Sequence, residues 1–277
     1  MAHMLCSTTD MAQRLEEADK IHLSRQVESC IQIFTDQAIQ LQPAGYGVAA
    51  VTLPLFGRKL NHVVGFGMAG SVSTDDLAKT EALYDKTGVA GEIDLCPHAD
   101  ATAIQSLALR GYTVNGWINS YVRILTDADL QEANIPGVSI FQIASDRFEE
   151  FKNCSVGGYR DGGRPELLLE TLARSAELRV DTRIYFATVD GKVAGSAGLA
   201  LIETSKGGVA HLYIDSTLPE YRGRGIQAAL LQHRLSDARK AGYKVASVQA
   251  RPTSGSARNI ERAGFSLAYT KTTFVRR

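Results

Sequence analysis

Hydrophobic positions recur along the chain with two periods, one typical of helices and one typical of strands. Over residues 10–40 apolar side chains return every three or four positions behind Asp10, a suitable N-cap, which predicts one long helix that ends by Pro43. Shorter apolar runs bounded by glycine, proline or asparagine predict strands. The first half accordingly predicts strands at 46–56, 61–66 and 92–96, one strand or two at 112–125 around the turn signal Asn115-Gly116, and helices at 74–86 and 100–109.

The second half repeats this order of elements. Asp190-Gly191 joins two strand patterns into the clearest hairpin of the chain, and the glycine-rich segment 157–165 predicts a loop that leads into a helix. We interpret this loop either as a substrate lid or as an ordinary mobile loop. The full set comprises strands at 138–143, 183–189, 192–202, 209–214 and 244–250, helices at 165–178, 226–241 and 256–262, and a last hairpin from Gly264-Phe265.

The repeated order indicates an internal duplication. In the first half a strand and a helix lead to Gly111, which an aromatic residue follows. In the second half a strand and a helix lead to Gly264, which an aromatic residue also follows, and the two glycines are about half of the 277-residue chain apart. A polar stretch with Pro136-Gly137 separates the halves within residues 126–137. We therefore predict two domains, residues 1–130 and 131–277.

Charge and composition narrow the class of partner. The 30 basic residues balance the 30 acidic ones, whereas nucleic-acid and membrane-surface proteins carry an excess of Lys and Arg. The four cysteines are scattered and the six histidines form no ligand-spaced cluster, so neither a disulfide framework nor a metal site is predicted. With no secretion signal in residues 1–6 and no long apolar run, we expect a soluble, cytoplasmic protein that acts on a small molecule.

A basic glycine turn, Arg222-Gly223-Arg224-Gly225, follows the strand at 209–214 and opens a helix. Glycines let the backbone approach a ligand and point successive N–H groups at it, and the helix contributes its positive N-terminal end. This combination predicts that the turn binds a phosphate or pyrophosphate, although such a turn can also be a surface loop with two solvated arginines.

Residues 219–225, Pro-Glu-Tyr-Arg-Gly-Arg-Gly, resemble the acyl-CoA signature of the GNAT superfamily of N-acetyltransferases, Arg/Gln-x-x-Gly-x-Gly/Ala. Arg222 and Gly225 match its first two fixed positions, and Gln227 stands where the family has Gly or Ala. The resemblance implies an α/β (α+β) fold with two GNAT-like mixed-sheet domains in tandem. The first would be degenerate, since no arginine occupies the equivalent turn. It also implies acetyl-CoA as co-substrate, with its pyrophosphate and pantetheine bound by Leu212, Tyr213, Ile214, Arg222, Gly223, Arg224, Gly225, Ile226 and Gln227.

The same resemblance implies direct transfer of an acetyl group to the amine of a small molecule. His211, Glu203 and Asp215 are the candidate general bases, and a water relay is an equal alternative. Ile260 stands where many family members have a tyrosine that acts as the general acid, and Thr253 where they have asparagine. The thiolate would therefore leave unassisted or take a proton from water, Ser256 or Tyr269.

Two other functions compete with the acetyltransferase. A non-catalytic acyl-CoA-binding protein would keep the turn and lose the chemistry. A nicotinamide-dependent oxidoreductase would use Gly65-Phe66-Gly67-Met68-Ala69-Gly70, which matches a dinucleotide fingerprint and precedes Asp94. The helix after that loop begins with a Ser73/Asp76 capping box, whose side chains would satisfy the N–H groups and repel phosphate, so a plain glycine turn is favoured. A monomer is favoured slightly over a homodimer, because a tandem pair can mimic a dimer.

Overall fold

The computed structural model describes residues 7–35, 37–131 and 135–276. Its described part contains seven α-helices and eleven strands. The helices are α1 (Thr9–Ile33), α2 (Thr74–Thr87), α3 (Ala101–Leu109), α4 (Phe148–Tyr159), α5 (Glu166–Leu178), α6 (Ile226–Lys240) and α7 (Gly255–Arg262). The strands are β1 (Gln40–Ala44), β2 (Gly47–Val51), β3 (His62–Val64), β4 (Glu92–Leu95), β5 (Tyr112–Ile124), β6 (Val138–Gln142), β7 (Thr182–Val189), β8 (Lys192–Ile202), β9 (Val209–Thr217), β10 (Val245–Ala250) and β11 (Ser266–Arg276).

All eleven strands form one mixed sheet in the order β1-β2-β3-β4-β11-β5-β10-β9-β8-β7-β6. The first half of the chain supplies one end of the sheet and the second half supplies the other. Parallel pairs occur between β3 and β4 and between β9 and β10, so each half contains one crossover through a helix. The predicted fold class, a mixed α/β arrangement of two halves in tandem, is confirmed.

The two halves exchange their last strands. The strand β5, from the first half, lies between β10 and β11, with Tyr121 opposite Val248. The strand β11, from the second half, lies between β4 and β5, with Thr273 opposite Asp94. Each half therefore completes the sheet of the other. The division of the chain at residue 130 stays a prediction.

Several predicted elements differ from the structure. The strand expected at 46–56 ends at Val51, and Pro54–Lys59 forms a short 3₁₀ helix. Of the one or two strands expected at 112–125 the structure has one, because β5 runs through Asn115-Gly116 and Gly116 pairs with Thr273 of β11. The expected final hairpin is the single strand β11, since its partners are β4 and β5 and not a neighbouring segment. The first helix ends at Ile33, and residues 40–44 pair with β2 in a hairpin.

Helices cover both faces of the sheet, and each buries an apolar stripe. On one face α6 packs Leu230 and Leu235 against Leu199 and Leu212 of the β8–β9 hairpin. On the other face α1 packs Met11 and its neighbours against strands from both halves of the chain. The long first helix thus lies across the junction and holds the two ends of the sheet together.

Candidate functional site

The sheet opens between β9 and β10. Within the described residues these strands pair only at Ala210 with Ala246 and at His211 with Ser247, and they then diverge. The remainder of β9, up to Thr217, consequently presents backbone groups to the gap on that edge. An extended ligand arm fits such an edge because it can bond to the free N–H and C=O groups.

A β-bulge lies on β9 at this opening. The register against β8 shifts between Ser196 and Gly198, and Ile214 has a φ of 54°. A β-branched residue in the left-handed region is strained, and such strain is typical of functional sites. Gly198 is required opposite the bulge, since a Cβ there would lie 2.9 Å from Ile214 Cγ2.

A buried arginine of α6 holds the bulge in position. Arg234 is fully buried and donates to the carbonyl oxygens of Gly198 (2.8 Å) and Leu230 (3.0 Å). Its guanidinium also pairs with both carboxylate oxygens of Asp215, the residue after Ile214. Asp215, one of the candidate bases, is therefore engaged as an ion-pair partner.

The basic glycine turn lies directly before α6. Gly223 and Gly225 have φ values of 78° and 77°, where a side chain would be strained. Gly225 is the N-cap of α6, and no described side chain caps the helix. The first N–H groups of α6 thus remain available to an anion, which the positive end of the helix dipole also attracts.

The two arginines of the turn have different surroundings. Arg222 donates to the Asp161 carboxylate (2.9 Å) and to the Gly158 carbonyl oxygen (2.9 Å), so it ties the turn to the segment after α4. Arg224 is exposed, and its guanidinium lies 5.5 Å from the centre of the Tyr221 ring. Backbone N–H groups and the exposed Arg224 are therefore the groups of the turn that an anion could reach.

Helix α7 contacts the start of α6. Asn259 donates to the Gln227 side chain at 2.6 Å, and this contact explains how a glutamine is accommodated after the glycines. Ser256, a candidate acid, is exposed in the first turn of α7. Ile260 is buried in the core, so the position where the resemblance would place a tyrosine carries no proton donor.

His211 lies where the two strands begin to separate. Its Nδ1 is 3.0 Å from Ser247 Oγ, and its ring centre lies 4.6 Å from that of His22. Desolvation lowers the pKa of His211 to about 4. The negative charge of Asp19 acts to raise this pKa, and the positive charge of Arg179 acts to lower it further. The imidazole is therefore neutral at physiological pH.

The structure does not bring Glu203 and Tyr269 to the bulge. Glu203 follows β8 at the end of the hairpin where Ile202 pairs with Val209, five residues along β9 from Ile214, or roughly 16 Å. Tyr269 is buried on β11, two strands beyond β10, and donates to Glu16 Oε1 at 2.7 Å.

A cavity of about 50 Å³ adjoins the bulge. Tyr213 and Ile214 of β9 form one wall, and Ser155 and Tyr159 of α4 form another. The remaining wall residues come from both halves of the chain and are Gln26 of α1, Lys59 after β2, Arg164 before α5, and Leu169 and Leu172 of α5.

Sequence reasoning missed most of this wall. Arg164 and Tyr159 fall in or beside the loop interpreted as a lid, so their position near an acceptor was foreseeable. Lys59 belongs to a short helical segment, Pro54–Lys59, and no motif marks it. Arg234 was detectable, because it lies four residues from Leu230 and from Ala238 on the apolar face of α6.

The glycine loop at residues 65–70 has a structural role. Ser73 Oγ accepts from the Asp76 N–H at 3.2 Å while the Ser73 N–H donates to the Asp76 carboxylate at 3.0 Å, so the predicted capping box is confirmed. Gly67 allows close packing, since a Cβ there would lie 2.8 Å from the Ala103 Cβ. Asp94, which follows this loop in the dinucleotide alternative, accepts from Thr273 at 2.8 Å and pairs with Arg58.

The described residues contain no group of three or more His, Cys, Asp or Glu side chains arranged to hold a metal ion. None of the described helices combines the length and the apolarity needed to cross a membrane.

One family model matches part of the second half of the chain. Residues 140–265 match the model of the Acetyltransferase (GNAT) family. No curated protein matches the chain. Among solved structures, a GCN5-related N-acetyltransferase from Kribbella flavida has a TM-score of 0.65 at 15% identity, covering 92% of this chain and 94% of that one.

Two further structures share the fold over most of the chain. A tandem GNAT protein from the clavulanic acid biosynthesis pathway has a TM-score of 0.61 at 13% identity and covers 91% of this chain and 87% of its own. A GCN5-related N-acetyltransferase from Sphaerobacter thermophilus has a TM-score of 0.55 at 15% identity, with 86% and 75% covered. At these identities the likeness concerns the fold.

Proposed function

We propose that this chain, whose residues 140–265 form an acetyltransferase domain of the GNAT family, transfers an acetyl group from acetyl-CoA to the amine of a small molecule. One observation carries the proposal. The uncapped N-terminus of α6, behind the basic glycine turn, adjoins a bulged strand whose edge is unpaired. An anion site next to a free strand edge suits a ligand with a pyrophosphate and an extended amide-containing arm.

The pyrophosphate of CoA would bind at the start of α6. Backbone N–H groups of residues 223–227 would supply most of the hydrogen bonds, and Arg224 would add positive charge. Arg222, which bonds to Asp161 and Gly158, would hold the turn in shape. The pantetheine would then follow the β9 edge from the Thr217 end towards the bulge, with Tyr213 and Leu212 beyond it.

The transfer forms a C–N bond and breaks a C–S bond. The acceptor nitrogen attacks the thioester carbonyl carbon, and a backbone N–H near Tyr213 or Ile214 stabilises the negative charge on the oxygen. Collapse of the tetrahedral intermediate releases the CoA thiolate, which takes up a proton, while the nitrogen loses one. His211, neutral because its pKa lies near 4, is available to receive that proton only as a weak base, so a water relay serves equally well.

A non-catalytic acyl-CoA-binding protein is the second candidate. The buried Ile260 at the position of the family's tyrosine favours it, because no side chain at that position can protonate the thiolate. Both candidates require the same cofactor site and differ only in turnover.

Isothermal titration of acetyl-CoA tests the shared site, with Arg222→Ala plus Arg224→Ala as the variant. Arg239→Ala plus Lys240→Ala is the matched control, because it removes the same charge from the other end of α6, roughly 22 Å away. We expect binding by the parent and the control and at least tenfold weaker binding by the variant. Release of free thiol with a panel of amines then separates the enzyme from the binding protein, and no binding by the parent contradicts both.

A further inference from the structure

The cavity beside the bulge lies where an acceptor must bind. Ile214 and Tyr213 line both this cavity and the strand along which the thioester would lie. The other walls come from helices α4 and α5 and from Lys59 of the first half. A molecule in the cavity would therefore have one end against the reacting carbonyl and the other near Lys59, which lies outside residues 140–265.

The charges in the wall of this cavity are all positive. Nine residues line it; two of them, Lys59 and Arg164, are cations and none is a carboxylate. Ser155, Gln26 and Tyr159 add uncharged polar groups. The Tyr159 phenol is neutral, because desolvation raises its pKa to about 12.

Neither cation is neutralised within the described part of the chain. No described carboxylate pairs with Lys59 or Arg164, and the contact of Arg164 is with the Tyr159 ring, 5.3 Å away. Solvent still reaches Lys59, yet desolvation, followed by the positive charges of Arg164 and Arg58, lowers its pKa to about 8.

The carboxylates whose charges act on Lys59 or Tyr159 have other partners. Asp19 of α1 binds the buried Lys271 at 2.6 Å, and Asp94 of β4 pairs with Arg58. Asp215 is held by Arg234 on the other side of the bulge. Lys59 and Arg164 are both exposed to solvent, and because no carboxylate lies in the same wall they give the mouth of the cavity a positive potential that attracts an anion.

We propose that the acceptor is an amine that also carries an anionic group, a carboxylate or a phosphate, which Lys59 and Arg164 bind. This inference rests on the proposed acetyl transfer. Leu169 and Leu172 would contact the carbon chain between the two ends, and the amine would face Ile214. The cavity volume, about 50 Å³, accommodates a group of a few non-hydrogen atoms, so the anionic end is small.

The positive wall also favours the reactive form of the amine. Nearby cations disfavour an ammonium and lower its pKa, so the neutral, nucleophilic form is more populated in the cavity than in water. Deprotonation then requires no strong base, which agrees with the weak basicity of His211 and the engagement of Asp215.

Acceptor pairs that differ only in the anionic group test this inference. The full-length protein is assayed by thiol release from acetyl-CoA with glycine and glycinamide, β-alanine and β-alaninamide, leucine and leucinamide, and phosphoethanolamine and ethanolamine. A charge-assisted hydrogen bond changes binding by about 10- to 100-fold, so we expect at least one acid or phosphate to exceed its neutral partner in kcat/KM by that factor.

Variants of Lys59 assign the effect to the cavity. Lys59→Met is expected to raise the KM of the anionic acceptor about tenfold relative to that of its neutral partner, whereas Lys59→Arg retains the preference. Lys192→Met, an exposed lysine in the β7–β8 turn, is the control and leaves both unchanged. Equal turnover of acids and amides, or an equal effect of Lys59→Met on both, overturns the inference.

Two binding measurements separate this inference from the proposed function. Titration of acetyl-CoA into Lys59→Met should match the parent, and absence of binding to the parent itself contradicts acetyl transfer and the inference together. Thermal stabilisation by N-acetylglycine and N-acetyl-β-alanine, with their amides as controls, reports the anion without turnover. Acetyl-CoA binding combined with no turnover of any anionic acceptor and no Lys59-dependent stabilisation overturns the inference alone.

Discussion

Replacement of Arg234 by methionine removes the side chain that fixes the bulge of β9. Methionine fills much of the same space and keeps the aliphatic part of the side chain in the core. The variant loses the ion pair with Asp215 and the hydrogen bonds to the Gly198 and Leu230 carbonyl oxygens. Asp215, whose side chain is 16% exposed, is left without its cation.

The expected cost follows from this burial. Removal of one partner of a buried ion pair costs about 3–5 kcal/mol, because the remaining charge stays desolvated. Removal of both partners costs less, so Arg234→Met plus Asp215→Leu should be more stable than Arg234→Met alone. Arg234 bonds to Gly198 and Asp215 on either side of the strained Ile214, so Arg234→Met should also let the bulge relax. Relaxation would displace the backbone N–H that stabilises the oxyanion, and a displaced donor lowers kcat about 100-fold.

Urea unfolding gives the free-energy change, and thiol release at saturating acetyl-CoA gives kcat. Leu230→Met, on the same helix, is the control for a change of core packing without a change of charge. A loss of stability below about 1 kcal/mol together with unchanged kcat would refute the assigned role of Arg234. A large loss in the double variant, equal to that of Arg234→Met, would show that packing and not the unpaired carboxylate sets the cost.

The remaining predictions concern pH and the two helix termini. The preference for an anionic over a neutral acceptor should decrease above pH 8, because Lys59, with a pKa of about 8, loses its charge there. The neighbouring charged groups, Arg164, Arg58, Asp19 and Asp94, keep their charges in this range. The ratio of the two kcat/KM values measures the decrease, and Lys59→Arg should abolish it. His62 and His211 have pKa values of about 4 in the folded protein, below the ordinary 6.5. Their protonation therefore favours the unfolded state: the free energy of unfolding is at its full value above pH 6.5 and decreases as the pH falls towards 4, by at most about 1.4 kcal/mol per pH unit for each histidine. Urea midpoints at pH 7.5 and 4.5 measure that loss, and His62→Gln should reduce it; an unchanged difference contradicts the assignment. Ser73→Ala plus Asp76→Ala should cost about 1–2 kcal/mol of stability by removing both halves of the capping box and leave the affinity for acetyl-CoA unchanged in calorimetry.

Local signals in the sequence predicted the features that depend on neighbouring residues. The basic turn and the start of α6 follow from Gly223, Gly225 and the apolar spacing behind them, and the structure has the helix begin at Ile226. The capping box at Ser73 is likewise a contact across three residues, and the structure has it. In both cases the partners that decide the structure are within one helical turn.

Features that depend on distant partners were not predictable in this way. The apolar alternation in β5 is compatible with a hairpin at Gly116 or with two long-range partners, and only the tertiary fold decides between them. Lys59 reaches the cavity because β2 and β3 bring residues 54–59 under α5, which no local pattern encodes. The general base and the residue that protonates the thiolate stay predictions.

The exchange of β5 and β11 bears on how such a chain can change over evolutionary time. A duplicated domain that loses its catalytic loop is ordinarily free to drift or to be deleted. Here deletion of the first half would expose the edge of β10, which borders the opening where the thioester would lie. It would also leave β11 without β4 and β5, its two neighbours in the sheet. Selection for the second half therefore acts directly on the backbone of the first, and the two copies are inherited as one unit even though only one of them carries the glycine turn.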